Sequence, residues 1–298
     1  MIQQVRKAVR FPEAAKRKVV ASVVRPFVPG SFPERSHIDL EWDNLIVLDA
    51  CRYDAFEDRN PFEAPARAVE SNASHTAEFL ERNFSRDRHD TVYVTASPQV
   101  AGYESRFHAV VHVWDRAWDD ELRTVLPESV TDAALAAATE YPDKKLIVHY
   151  MQPHYPFVGP TGRGMETHAT YTGGLRERTH LSVWELLSAG EVSVEEVRTA
   201  YEENLDLVLD SVTGLVDALD GKTVVTSDHG NLFDETVSPI PLRLSGHPPN
   251  MPAENLVRVP LVELPFESRR ETTASRPHDA DVESGDVESR LQDLGYLQ

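Results

Sequence analysis

Short apolar runs alternate with helix-patterned stretches between residues 44 and 264 of the chain. The first run, Asn44-Leu-Ile-Val-Leu-Asp49, lacks polar alternation, as a strand buried on both faces does. Residues 91–95, 109–114, 145–149 and 222–226 repeat that pattern. A last run, residues 256–262, contains Pro260, which cannot donate to a ladder and therefore predicts an edge strand. Helical spacing appears over residues 76–84, through Phe79, Leu80 and Phe84, and over the alanine-rich residues 130–141. The longest helix is expected over residues 193–219, where Leu205, Val208, Leu209, Val212, Leu215, Val216 and Leu219 share one face. Ser193 and Glu196 suit a capping box at its start. Such alternation predicts an α/β fold, a three-layer sandwich with a mostly parallel central sheet.

In such a sheet, ligands bind beyond the carboxyl ends of the strands. The first strand stops at Asp49, followed by Ala-Cys-Arg52-Tyr-Asp54, and a late one stops at Ser227, followed by Asp228-His229-Gly230-Asn231. Carboxylates and an imidazole at two strand ends can face one cation, and Asp49, Asp228 and His229 are the candidate ligands. Oxygen and nitrogen donors without thiolate suit Zn²⁺, Mn²⁺ or Mg²⁺.

With their order along the chain, Leu45-Ile-Val-Leu-Asp-Ala-Cys-Arg-Tyr-Asp54 and Val225-Thr-Ser-Asp-His-Gly-Asn231 resemble the two metal-binding segments of the alkaline phosphatase/sulfatase superfamily. The resemblance implies an alkaline phosphatase-like fold and a metal-dependent hydrolase or transferase of phosphate esters. It also implies a hydroxyl nucleophile at a helix start that doubles as a metal ligand. Ser71, Ser74 and Thr76 compete for that role. Thr76 ranks first, because Ser74-His75-Thr76 is similar to relatives in which the threonine attacks, and Ser74 ranks second. His154, in Gln152-Pro-His-Tyr-Pro156, resembles a histidine that reaches a substrate oxygen as hydrogen-bond donor or general acid. His149 lies inside its strand and reads as a core histidine. His247 and Arg52 are substrate-phosphate candidates, with a structural salt bridge from Arg52 to Asp54 or Glu57 as the alternative for the latter. The partner motif for a second metal is missing, so one metal site is expected. The sulfatase signature around a modified cysteine is also missing. Cys51 therefore reads as a buried neutral thiol, and sulfate-ester hydrolysis stands as the alternative activity. A member of the fold that binds metal without catalysis is the further alternative.

Charge refines the picture. The chain of 298 residues carries a formal net charge of −19, which argues against nucleic acid as a partner and resembles salt-adapted, halophile-like compositions. Residues 1–30 run the other way, with seven Lys and Arg against Glu13 alone. That arm could contact an anionic membrane surface or pack on the acidic body. The single Cys excludes an intrachain disulfide, and no run approaches the length of a membrane span. Without an apolar signal core at the start, the sequence points to the cytoplasm, with peripheral contact at the inner membrane surface as an option. The expected organisation is a basic arm at 1–36, a catalytic domain at 37–266, and a polar linker with a short C-terminal helix at 267–298. The expected partner is a small-molecule or glycan- or lipid-linked phosphate ester.

Overall fold

Seven strands build the central sheet in the order β2-β11-β8-β1-β7-β3-β4. In the computed structural model, which describes residues 25–28, 30–168, 182–237, 243–275, 285–294 and 296, these strands are β1 (Asn44–Asp49), β2 (Arg67–Glu70), β3 (Arg88–Thr95), β4 (Phe107–His112), β7 (Lys145–Pro153), β8 (Thr223–Ser227) and β11 (Arg258–Glu263). Two ribbons lie outside it, β5 (Trp118–Asp119) with β6 (Thr124–Val125), and β9 (Leu232–Thr236) with β10 (Arg243–Gly246). The helices are α1 (Tyr53–Glu57), α2 (Thr76–Asn83), α3 (Val113–Arg116), α4 (Pro127–Glu140), α5 (Pro160–His168), α6 (Val183–Ala189), α7 (Val194–Ala218), α8 (Glu254–Val257) and α9 (Gly285–Asp293). Of the basic arm expected at 1–36, residues 1–24 lie outside the described residues.

Strand β1 shows why the fold has three layers. It runs parallel to both β7 and β8 and is buried along its whole length. Alternate side chains leave by opposite faces. Leu45 and Val47 join Ile38, Trp42, Phe79, Leu80 and Phe84 beneath α2. Ile46 and Leu48 join Val130, Ala134, Leu205, Val208, Val212 and Leu215 beneath α4 and α7. Each of the larger side chains contributes roughly 1.5–3 kcal/mol on burial. Helix α7 begins with the capping box expected from Ser193 and Glu196, the serine hydroxyl accepting from the Glu196 N–H at 3.2 Å.

Two expectations need correction. Residues 256–262 do not form an edge strand: β11 sits antiparallel between β8 and β2. The edge belongs to β2, whose Arg-Ala-Val-Glu sequence is mostly exposed and so carries no apolar signature. Pro260 is accommodated opposite Ala68, and its carbonyl accepts the Thr226 hydroxyl at 2.7 Å. The fourth strand ends at His112, two residues earlier than its apolar run. The chain turns there into α3, where Trp114 is buried and donates Nε1–H to His112 Nδ1 at 3.1 Å.

The polar stretch after residue 266 crosses the opposite end of the sheet from the candidate ligands. Arg269 pairs with buried Asp43 at 2.8 Å, and Arg270 donates to the Lys144 and Asp220 carbonyls at 2.8 and 2.9 Å. On the ligand side, α7 fixes the loop after β7 through Asn204, which is fully buried. Its Oδ1 accepts from the Val158 N–H at 2.7 Å, and its Nδ2 donates to the carbonyls of Pro156 and His154 at 3.0 and 3.2 Å. Replacing Asn204 by leucine would preserve volume and strand three buried backbone groups. At about 1–3 kcal/mol for each group left unpaired, Asn204→Leu is expected to lower the urea unfolding free energy by at least ~3 kcal/mol.

Candidate metal centre

The register of β1 with β8 pairs Leu48 with Ser227, so the next residues, Asp49 and Asp228, emerge side by side at the strand ends. Both are fully buried. The turn after β1 is held open for them. Ala50 adopts φ +59°, an uncommon conformation for a residue with a Cβ, and its N–H donates to Asp228 Oδ1 at 3.0 Å. Tyr201 on α7 clamps the same turn, donating to the Ala50 carbonyl at 2.8 Å and accepting from the Arg52 N–H at 2.9 Å. Gly230 serves close packing: a Cβ there would collide with the Asn255 carbonyl, and the Gly230 N–H donates to the Leu256 carbonyl at 2.7 Å.

His229 Nδ1 donates to the Gly230 carbonyl at 2.8 Å, which leaves Nε2 as the lone-pair nitrogen. That Nε2 lies 3.4 Å from Asp228 Oδ2 and 3.6 Å from Asp49 Oδ1. Thr76, the first residue of α2, completes the group. Its Oγ1 is 3.2 Å from His229 Nε2 and 3.4 and 3.5 Å from the two Asp49 oxygens. The four sequence-predicted ligands Asp49, Thr76, Asp228 and His229 thus converge, all with no solvent exposure.

The structure adds His149 to them. Asp49, His149 and Asp228 each offer a ligand atom within 4.8 Å of the others. His149 Nδ1 bonds the Tyr93 hydroxyl at 2.9 Å, while its Nε2, 3.9 Å from Asp49 Oδ2, has no hydrogen-bond partner. Asp228 Oδ2 is likewise buried without one. Burial, followed by the charge of Asp228, pushes the Asp49 carboxyl well above the usual carboxylate range. Burial acts on Asp228 in the same sense, but His229, His149 and the Ala50 N–H outweigh it and hold that carboxyl below its ordinary value. Burial takes His149 down to about 4, against the raising influence of Asp228, so it is a neutral imidazole near pH 7. Two adjacent carboxylates, a neutral imidazole at His149 and two buried polar atoms without partners, His149 Nε2 and Asp228 Oδ2, fit a divalent cation.

The other candidates fall around this centre. The Ser74 hydroxyl bonds Glu78 Oε2 and the Pro248 carbonyl, both at 3.2 Å, and accepts from the Met251 N–H at 3.0 Å. Ser71 donates to the Asp228 carbonyl at 2.5 Å. Neither serine bonds a ligand side chain, whereas Thr76 does. The His154 Nδ1 bonds the Tyr155 carbonyl, and its Nε2 meets His247 Nε2 at 2.8 Å. Burial, then the neighbouring His229, lowers His154 to about 3. The His247 ring lies 4.8 Å from those of both His154 and His229, so the two substrate candidates flank the ligands. Arg52 faces other partners: Asp54 takes it bidentately at 2.8 and 2.6 Å, Glu235 at 2.8 Å, and the Asn231 carbonyl at 3.2 Å. Any phosphate would have to compete with that network. Cys51 is buried and its thiol is pushed up by burial, in line with a neutral thiol.

Sequence reasoning missed two more residues. His75 caps α2, its Nδ1 accepting from the Ala77 N–H at 3.2 Å. Tyr296, from beyond α9, donates its hydroxyl to Asp49 Oδ2 at 2.8 Å.

No protein-family model matches the chain, and no curated protein does. Among solved structures it is similar to the integral membrane lipooligosaccharide phosphoethanolamine transferase A of Neisseria meningitidis (12% identity, 84% of this chain and 53% of that one, TM-score 0.49). It is also similar to the C-terminal periplasmic domain of EptC from Escherichia coli in complex with zinc (14%, 82% and 78%, 0.47). A third likeness is to the 2-O GAG sulfatase BT1596 (10%, 85% and 70%, 0.44). These structural neighbours are members of the alkaline phosphatase/sulfatase superfamily, the class that the strand-end motifs resemble. Likenesses at these levels assign no activity, which has to come from the site. They do correct the cytoplasmic expectation. A periplasmic domain and an integral membrane protein stand among the neighbours, so an unmarked start to the sequence does not place the chain in the cytoplasm. Among the described residues no helix is long and apolar enough to cross a membrane.

Removing the charge of a buried ligand should cost more than the 10–100-fold typical of outer contacts. Asp228→Asn is therefore expected to weaken Zn²⁺ binding by at least ~100-fold in calorimetric titration. His149→Phe is expected to weaken it by at least ~10-fold, and an unchanged affinity would return His149 to the core.

Proposed function

We propose that this protein is a metal-dependent phosphoryl-transfer enzyme, a phosphoric ester hydrolase or phosphotransferase, with Thr76 as its nucleophile. The observation that carries the reading is the placement of the Thr76 hydroxyl. It stands at the first position of a helix, 3.2 Å from His229 Nε2 and within 3.5 Å of both Asp49 oxygens. Asp49, Asp228 and His229, with His149 beside them, would hold the cation. Imidazole donors among the carboxylates suit Zn²⁺ or Mn²⁺ better than Mg²⁺. When bound, the metal supplies positive charge to the transferred group and a lowered pKa to the hydroxyl.

The rest of the chemistry belongs to the chain. Thr76 Oγ1 attacks phosphorus as it gives up its proton, the bond from phosphorus to the ester oxygen breaks, and the leaving alkoxide takes up the proton that Thr76 released. The hydroxyl proton of Thr76 has a short path to the Asp49 carboxylate. His154 and His247 line the same side, and an ester oxygen would take over the N–H that the pair shares between their Nε2 atoms. Water or an acceptor alcohol then releases the phosphoryl group from Thr76, and the choice between them separates hydrolase from transferase. A phosphate ester is favoured over a sulfate ester because Cys51, the lone cysteine, is sealed in the core. The catalytic unit proposed is residues 37–266, against which residues 267–275, 285–294 and 296 are docked.

The test is a hydrolysis panel of aryl phosphate mono- and diesters and aryl sulfate with Zn²⁺, Mn²⁺ and Mg²⁺. Thr76→Ala is expected to abolish the covalent phospho-enzyme and to lower kcat by at least ~10³-fold, as loss of a nucleophile does. Ser74→Ala is expected to retain the phospho-enzyme, seen by intact-protein mass spectrometry. Turnover that survives Asp228→Ala would sink the metal assignment.

A further inference from the structure

The tail beyond the catalytic sheet reaches the metal centre. Tyr296 donates to Asp49 Oδ2 at 2.8 Å, and its hydroxyl oxygen lies 3.4 Å from Thr76 Oγ1. Its ring stacks on His154 at 5.0 Å and 19°, meets His75 edge-on at 5.4 Å, and lies 5.7 Å from His247. One side chain therefore touches a ligand carboxylate, the proposed nucleophile and three surrounding imidazoles. That is the space a substrate ester needs. The phenol oxygen, 2.8 Å from Asp49 Oδ2 and 3.4 Å from Thr76 Oγ1, also stands in the space that a cation shared by those two oxygens would need.

The segment carrying Tyr296 is lightly attached. Helix α9 is polar, and its firm anchors are buried Leu294 and half-buried Val287 against the core. Arg290 adds an ion pair to Asp120 at 2.9 Å, whose carboxylate is 85% exposed, and a position 4.7 Å over the Trp118 ring. Exposed pairs of this kind contribute little. A contact that fills the site while its support is weak suits release better than permanence.

We propose that α9 and Tyr296 form a removable strap over the metal centre, with the Tyr296 phenol competing with the cation and the substrate for Asp49 and the imidazole cup. The strap rests on the metal centre described above and is independent of the reaction assigned to it. Metal binding displaces the phenol from Asp49 and frees the tail.

The test uses full-length, metal-free protein and Zn²⁺ in competition with a fluorescent chelator. Tyr296→Phe, which keeps the ring and removes the donor, is expected to tighten Zn²⁺ binding by about tenfold or more, matching the loss of a hydrogen bond to a charged group. Tyr296→Ala is expected to tighten it at least as much and to strengthen the binding of inorganic phosphate to the Zn²⁺ form. In the wild type, Zn²⁺ is expected to speed tryptic cleavage after Arg290. Weaker Zn²⁺ binding in both variants would make Tyr296 a ligand or positioning residue and overturn the strap. So would unchanged affinity, or cleavage after Arg290 indifferent to Zn²⁺. A wild type and variants that all fail to bind Zn²⁺ would overturn the metal centre and the strap together.

Discussion

Two carboxylates buried side by side at the ends of neighbouring parallel strands set the terms for the rest of the molecule. At the separation allowed by the Asp49, His149 and Asp228 cluster, 4.8 Å or less between ligand atoms, two full charges repel by roughly 3 kcal/mol even at an effective dielectric of about 20. The sheet register forces the pair together, because Leu48 and Ser227 are partners and the next residue on each strand is the aspartate. Relief must come from donors aimed at the carboxylates. The Ala50 N–H, the Thr76 hydroxyl and the Tyr296 hydroxyl play that part. None of them carries a permanent positive charge. Arg52, the nearest guanidinium in sequence, is diverted to Asp54 and Glu235. A cluster that withholds permanent cations from two buried carboxylates has kept room for a mobile one.

The same constraint explains the bracing. The positive φ at Ala50 costs of order 1 kcal/mol and persists because Asp228 accepts its N–H and Tyr201 bonds its carbonyl and the Arg52 N–H. Tyr201 sits three residues before Asn204, so one face of α7 secures both the turn after β1 and the loop that carries His154. Helix α7 is thus the common support of the ligand side and the imidazole side of the site. Its apolar stripe, which first marked it in the sequence, is also what holds those two polar residues at fixed height above the sheet.

Much of this was legible from local pattern. Asp49 and the Asp228-His229-Gly230 turn end apolar runs, and strand ends are where an α/β sheet exposes its chemistry. Thr76 stood at a helix start and ranked first by resemblance, with Ser74 and Ser71 behind it as alternatives. Only the contacts of Ser74 with Glu78, Pro248 and Met251, and of Ser71 with the Asp228 carbonyl, separate them. His149 reads as core because it interrupts an apolar strand. Its role depends on which face it shares with Asp49 and on the Tyr93 hydroxyl, neither of which is written locally. Strand β2 and the β9–β10 ribbon escaped for the opposite reason: their residues are too polar, or their runs too short, to carry a period.

Tyr296 is the extreme of that limit. It meets Asp49 across 247 residues of sequence, and no spacing rule spans such an interval. Its arrival changes how the buried centre is understood. Without the tail, the imidazoles of His75, His154 and His247 would offer an open, aromatic-walled cup beside Thr76; with it, the cup holds a ring stacked in parallel on His154. Beside the Leu294 and Val287 anchors, that ring and its hydroxyl also hold the segment in position, so the site stabilises the tail that covers it. Any ligand that takes Asp49 and the cup removes the contacts that keep α9 in place. Occupancy of the centre and docking of the C-terminal segment are therefore two readings of one equilibrium.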